Sequence, residues 1–228
     1  MILSEDGMRK KIILTPDKII QIDIDKVYKN IPLDKIPWNY GTPPYQLKDL
    51  IKSGKIKPCK TIDLGCGTGN YAIYFANKGY EVTGIDISPS AISYAKKNAI
   101  KAKIECNFLV ADIISDLNKI RTNFDFAYDW EVLHHIFPEH RQKYLENVYK
   151  ILNKHGKYLS VCFSEKDPIF KEQGKYRKTP LGTVLYCSSE VELENIFKTF
   201  FKIIELKTIE IRGKPTSHLA IYAFMERL

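Results

Sequence analysis

Cysteine is scarce in this 228-residue chain, and where it occurs it stands alone. Cys59, Cys66, Cys106, Cys162 and Cys187 are widely spaced, odd in number and without a C-x-x-C pair. That argues against a disulfide framework and against a zinc cluster, so no metal site is expected. Long apolar runs are missing too, and none approaches the roughly 18–20 residues that cross a bilayer. Met1-Ile2-Leu3-Ser4-Glu5-Asp6-Gly7 carries early acids in place of an apolar core, which excludes a signal-peptide pattern and points to the cytoplasm. There is no internal repeat, no low-complexity tract and no long block of one charge. The net charge is +8, yet basic residues alternate with acids and runs such as Arg9-Lys10-Lys11 are short. A solvated lysine-rich surface is therefore favoured over a nucleic-acid groove. What remains is an ordinary globular composition, 44% hydrophobic and 27% charged. It is long enough for one full α/β domain, or for a small domain with an appendage.

The first 27 residues are the least readable. Ile12-Ile13-Leu14 and Ile19-Ile20-Gln21-Ile22-Asp23-Ile24 look strand-like around the turn signal Thr15-Pro16-Asp17. Residues 31–45 hold four prolines and a glycine before Tyr45, which forbids a regular helix. Their aromatic content suggests an extended segment packed over something. An amphipathic segment with Leu47, Leu50 and Ile51 follows. From Lys60 onward strand and helix patterns alternate. Strands are expected at 61–64, 81–86, 104–110, 124–128 and 158–163, with helices at 70–78, from Ser88, at 138–152 and at 190–197. The first helix should bury Ile73, Tyr74 and Phe75, and the second should present Ala91, Tyr94, Ala95 and Asn98 on one face. Ser88 is an N-cap with Pro89 at the first helical position. The runs 200–209 and 219–225 are joined by Arg212-Gly213-Lys214-Pro215, too short for a crossover, so they should pair antiparallel.

The chemistry is concentrated in Asp63-Leu64-Gly65-Cys66-Gly67-Thr68-Gly69-Asn70. A strand, a tight glycine loop and a helix start give a ligand access to bare backbone. A dinucleotide site wants G-x-G-x-x-G, and here Asn70 holds the third glycine's place. S-adenosylmethionine has no phosphate and needs acids instead. Asp63 can hold its cationic amino end, Asp86 its ribose hydroxyls and Asp112 its adenine amino group. All three acids close expected strands, the edge where open α/β sheets bind ligands.

Asp63-Leu64-Gly65-Cys66-Gly67-Thr68-Gly69, Val82-Thr83-Gly84-Ile85-Asp86-Ile87-Ser88 and Ala111-Asp112-Ile113 resemble the successive motifs of class I S-adenosylmethionine-dependent methyltransferases. The resemblance runs over roughly residues 38–226. It implies a three-layer, Rossmann-like, seven-stranded sheet, mostly parallel with an antiparallel C-terminal strand, preceded by an extension at 1–37. It extends the donor site to Trp38, Gly69, Asn70, Ile87, Ile113, Asp129 and Trp130, and makes S-adenosylhomocysteine the product. Pro37-Trp38-Asn39 with Val132-Leu133-His134-His135 is similar to the small-molecule branch, which includes thiopurine, thiocyanate and tellurite methyltransferases. The glycine loop lacks the proline usual in the first two, so only the class carries over.

A small-molecule acceptor is therefore expected, a thiol or other small soft anion first, with RNA or protein methylation and non-catalytic donor binding as alternatives. His134 and His135 are candidates for reaching the acceptor. So are Tyr176 and Arg177, within a lid-like insertion at about 165–187.

Overall fold

The computed structural model describes residues 23–116, 119–168, 174–214 and 216–228. Most of the strand-like stretch expected before Asp23 lies outside them. Ile24, expected in a strand, instead opens helix α1 (Ile24–Asn30), whose start is capped by the Asp23 carboxylate accepting the Asp25 N–H at 3.0 Å. Between α1 and α2 (Tyr45–Lys52) the helical structure is limited to a single 3-10 turn (Leu33–Lys35), as the prolines require.

Seven strands build the sheet: β1 (Lys60–Leu64), β2 (Glu81–Asp86), β3 (Asn107–Val110), β4 (Phe124–Trp130), β5 (Leu152–Phe163), β8 (Phe201–Ile211) and β9 (His218–Arg227). Their order is β3-β2-β1-β4-β5-β9-β8. The first five are parallel, and β9 runs antiparallel between β5 and β8. This is the expected architecture. Strand order reverses between β1 and β4, which opens a crevice at their carboxyl ends.

Helices α2, α3 (Asn70–Ala76) and α4 (Pro89–Ala102) cover one face around Leu47, Phe75, Ala95, Phe126 and Tyr128. Helices α5 (Pro138–Ile151) and α6 (Glu190–Phe197) cover the other around Tyr144, Val148, Phe197 and Tyr158. The helical faces differ in detail from expectation. In α3 Ala72 and Phe75 are buried while Ile73 and Tyr74 are half-buried, and in α4 Ile92 and Ala99 face inward where Tyr94 and Asn98 were expected. Strand β3 starts late because Lys103 ends α4 in the left-handed region (φ 56°) and the next residues serve as linker. β5 starts early, directly off the end of α5.

Val27, Tyr28 and Ile36 are buried with Ala91 of α4, and the Asp25 carboxylate accepts from the Ser88 hydroxyl (2.6 Å) and the Ser90 N–H (2.9 Å). The described part of the expected N-terminal extension therefore packs directly against α4. The 165–187 insertion contains an antiparallel hairpin, β6 (Tyr176–Lys178) and β7 (Val184–Tyr186). Among the described residues no helix is long and apolar enough to cross a membrane.

Candidate functional site

The glycine loop leaves β1 under tight backbone control. The N–H groups of Gly65 and Cys66 both donate to the Ile85 carbonyl at 2.8 Å, tying the loop to β2. Gly65 and Gly67 sit at φ 73° and 53°, and a Cβ would come within 2.4 Å of the Val132 side chain at Gly65 and 2.8 Å of the Tyr28 hydroxyl at Gly67. The third glycine has another task. Gly69 caps α3 at φ 76°, and a Cβ there would meet Phe108 and Ala95 at 2.8–2.9 Å. It seats α3 against α4 and β3 and is set back from the cavity beside the loop.

Around this loop lies a cavity of about 460 Å³. Its walls include Trp38, Asp63, Gly65, Cys66, Gly67, Thr68, Asn70, Asp86, Ile87, Asp112, Ile113 and Trp130, all expected to face the methyl donor. Asn39 locks the Trp38 segment onto the loop, its Oδ1 accepting from the Thr68 hydroxyl and the Asn70 amide at 2.8 Å each. Asp129, also expected here, is elsewhere. Strand alternation turns it away from Tyr128 and Trp130 to the α5 side, fully buried. There its carboxylate accepts from Ser160 (3.0 Å), Tyr144 (3.2 Å) and Tyr158, and burial still pushes it up to about 6.

The cavity is electrically unlike the protein's surface. Asp23, Asp25, Asp63, Asp86, Asp112 and Glu131 line it, and no lysine or arginine is among its described walls. Asp63 is 3% exposed, and its Oδ2 accepts no hydrogen bond. Burial pushes its carboxyl up to about 7 against the lowering influence of the adjacent Tyr128 hydroxyl. Asp86 is raised by burial and held down by two backbone donors, Ser88 N–H at 2.8 Å and Gly67 N–H at 2.9 Å. Each of its oxygens keeps a further lone pair. Asp112 also closes a local turn, accepting from Ile114 N–H (2.9 Å) and the Ser115 hydroxyl (3.1 Å). Such a pocket suits a cation and repels a pyrophosphate, which decides between the two ligands open to the loop.

A second cavity, of about 750 Å³, adjoins the first. Trp38, Glu131, His135 and Thr183 line both. Its other walls include Pro37, Tyr40, Phe163, Leu185, Lys178, Lys214 and the hairpin tip Thr179-Pro180-Leu181. His134 is buried there against Phe163, stacked at 4.4 Å, with Nδ1 accepting the Phe163 N–H at 3.3 Å. His135 stands edge-on to Trp38 at 6.4 Å. Burial lowers both imidazoles, His135 to about 4, so both are neutral at pH 7.

Tyr176 and Arg177 line neither cavity, which corrects their expected place at the acceptor. Tyr176 packs edge-on to Phe137 and Tyr186. Arg177 is buried, donating to the carbonyls of Glu165, Asp167 and Gly174, because β6 alternation turns it toward the turn at the hairpin's base. Residues 169–173 of the insertion lie outside the described structure.

Several wall residues escaped the sequence reading. Tyr28, which accepts a hydrogen bond from the Trp38 indole at 2.9 Å, arrives from α1, and Tyr71 from α3. Glu131 directly follows Asp129-Trp130, and only its place in the chain hinted at it. Arg141 of α5 is 2% exposed and donates to Ile136, Leu133 and Tyr186 carbonyls and to Ser188 Oγ, fastening the hairpin to the turn that carries the histidines. A lone arginine in an amphipathic helix gives no such signal.

A family profile described as "Methyltransferase domain" matches residues 62–156. The chain is 29% identical over 130 residues to the 2-heptyl-1-hydroxyquinolin-4(1H)-one methyltransferase of Mycobacteroides abscessus, covering 57% of this chain and 56% of that one. It is 31% identical over 130 residues to an uncharacterized methyltransferase of Schizosaccharomyces pombe, covering 57% of this chain and 85% of the relative. The chain thus spans about half the length of the quinolone methyltransferase. Among solved structures, one described as "Conversion of a Disulfide Bond into a Thioacetal Group during Echinomycin Biosynthesis" superposes with a TM-score of 0.74 at 23% identity, covering 90% of this chain and 91% of that one.

Proposed function

Because this chain belongs to the S-adenosylmethionine-dependent methyltransferase family, we propose that it transfers a methyl group to a small organic molecule held in the second cavity. The observation that carries this reading is the pair of cavities meeting at Trp38, Glu131, His135 and Thr183, one acidic and one aromatic. The residues present fit the donor. The orphan Oδ2 of buried Asp63 suits its ammonium and the free lone pairs of Asp86 its ribose hydroxyls, and Gly65 and Gly67 present backbone to the same cavity. When bound, the donor supplies a sulfonium-activated methyl.

Trp38, pinned by Tyr28 and carried on the Asn39 clamp, covers the junction and excludes water from it. An aromatic face there also favours a nearby cation. The neutral His135 keeps Trp38 in place from the other side. In-line transfer demands mainly proximity and alignment, and two rigid, adjoining walls supply both. The cavity's 750 Å³ favours a ring-sized organic acceptor over the thiol or small soft anion suggested by the motif resemblance. The hydroxyquinolone named for the Mycobacteroides abscessus relative is of that size class. The test is transfer of radiolabelled methyl to a panel of heteroaromatics, phenols, thiols, halides, RNA and protein. Label confined to macromolecules, or to halide and aliphatic thiol, would overturn this reading.

A further inference from the structure

We propose that Glu131 takes the acceptor's proton, and that the second cavity binds a planar aromatic molecule presenting a ring-bound N–H or O–H at the junction. This rests on the second cavity being the acceptor site. Glu131 occupies the left-handed region at φ 62°, a strained conformation for a residue with a Cβ. Its own N–H donates to the Val161 carbonyl at 2.8 Å, which fixes the backbone against β5. That turn brings the carboxylate to the meeting point of the two cavities, where it makes no hydrogen bond or ion pair with the described residues. A carboxylate held there against backbone strain, and left without a partner, is aimed at a ligand.

Its electrical surroundings match this use. Tyr40, Tyr71, His135 and Arg212 are the titratable or charged groups that face it from the neighbouring elements. The Arg212 guanidinium is engaged on the Tyr40 ring, 4.1 Å from its centroid, and donates to the Thr42 carbonyl at 3.3 Å. It lowers Glu131 only partly, and burial pushes the carboxyl up to about 8. Burial lowers His135 to about 4, so the carboxylate is the stronger base of the pair. The acceptor's shape is set by the walls: Trp38, Tyr40, Phe163, Pro180 and Leu185 enclose a space for fused rings.

In the step itself Glu131 receives the proton leaving the acceptor's nitrogen or oxygen. The heteroatom's electron pair forms the new bond to the methyl carbon, and the sulfur–carbon bond breaks with its pair returning to sulfur. The positive charge of the sulfonium is thereby cancelled, and Glu131 ends neutral, to release its proton to solvent.

The test compares wild type, E131Q and E131D with benzimidazole, 2-naphthol and thiophenol. S-adenosylhomocysteine is first titrated into wild type; no binding there would sink the methyltransferase reading itself rather than this assignment. Calorimetry then follows 2-naphthol binding to the S-adenosylhomocysteine-loaded protein, with at least tenfold weaker binding expected for E131Q. Wild type should methylate benzimidazole or 2-naphthol, with kcat/KM rising through a single ionisation as pH increases. E131Q should lose at least 100-fold and that pH dependence, and E131D should recover part of the rate. Three results would overturn the assignment: donor-competent wild type methylating none of the three or only thiophenol, E131Q matching wild type in rate and pH profile, or the ionisation vanishing in H135Q while persisting in E131Q.

Discussion

The two cavities were built by different kinds of sequence. The first is lined with six acids and no lysine or arginine among its described walls, in a protein of net charge +8. Its key residues come in short contiguous motifs at the ends of adjacent strands, where the topology of a parallel sheet gathers them. The second is lined by aromatic and aliphatic side chains with Lys178 and Lys214, and draws on the segment before α2, the turn after β4, the β6–β7 hairpin and the link into β9. A charged ligand common to a whole family is held by motif. An acceptor is held by the loops that a sheet leaves free to vary.

If that contrast is right, the largest effect should follow from Asp63. Asp63→Asn should weaken S-adenosylhomocysteine binding at least 100-fold by calorimetry while raising the stability of the ligand-free protein. The unfolded carboxyl titrates near 3.8 and the folded one near 7. Between those values the folded protein holds a proton that the unfolded chain has released, so stability falls as pH rises through that window. At pH 7 the burden is on the order of 2–4 kcal/mol, and asparagine removes it. Denaturant melts should therefore separate wild type from Asp63→Asn more widely at pH 7.5 than at pH 5, by about 2–3 kcal/mol. Equal melts at both would show that Asp63 is not a strained, donor-seeking carboxylate.

A smaller loss is expected at the loop backbone. Gly65→Ala places a Cβ 2.4 Å from Val132 at φ 73°, a clash with a side chain that has some room to turn. Donor affinity should fall about 10- to 100-fold, with about 1–3 kcal/mol lost in stability. Unchanged affinity would mean that the donor does not lie against this backbone. On the other side of the junction, Leu181→Trp fills the second cavity from the hairpin tip. It should weaken 2-naphthol binding about tenfold and leave S-adenosylhomocysteine affinity within about twofold. Parallel losses in both would mean that the two cavities are one site.

The same contrast explains what was legible beforehand. Alternating strand and helix patterns place the sheet, and the terminal pairing follows from a link too short for a crossover. The acids at strand ends are visible because each interrupts a short apolar run where a turn begins. Asp129 misled because it too stands near a strand end, but the strand runs on to Trp130 and turns it into the far core. Gly69 seats α3 against Phe108 and Ala95, a packing role that its place in the glycine motif does not reveal. Tyr28, Arg141 and Glu131 were silent. Their roles depend on α1 lying over α4, on a hairpin folding onto α5, and on one positive φ after β4. None of these has a short-range pattern.

The smallest effects are expected where the basic, aromatic look of the insertion first drew attention. Tyr176 is held edge-on between Phe137 and Tyr186 and reaches neither cavity. Tyr176→Phe keeps both ring contacts and should change methyl transfer less than about twofold. Arg177 is the useful counterpart on the next residue, because its guanidinium satisfies backbone carbonyls at the hairpin's base. Arg177→Met should lower stability by about 2 kcal/mol, the cost of stranding such buried acceptors. Its effect on the acceptor should appear in KM rather than kcat, since the hairpin that roofs the cavity loosens while the junction stays intact. A large drop in kcat with either variant, at unchanged stability, would put the insertion's side chains back at the chemistry and dissolve the distinction between a wall that binds and a scaffold that holds the wall.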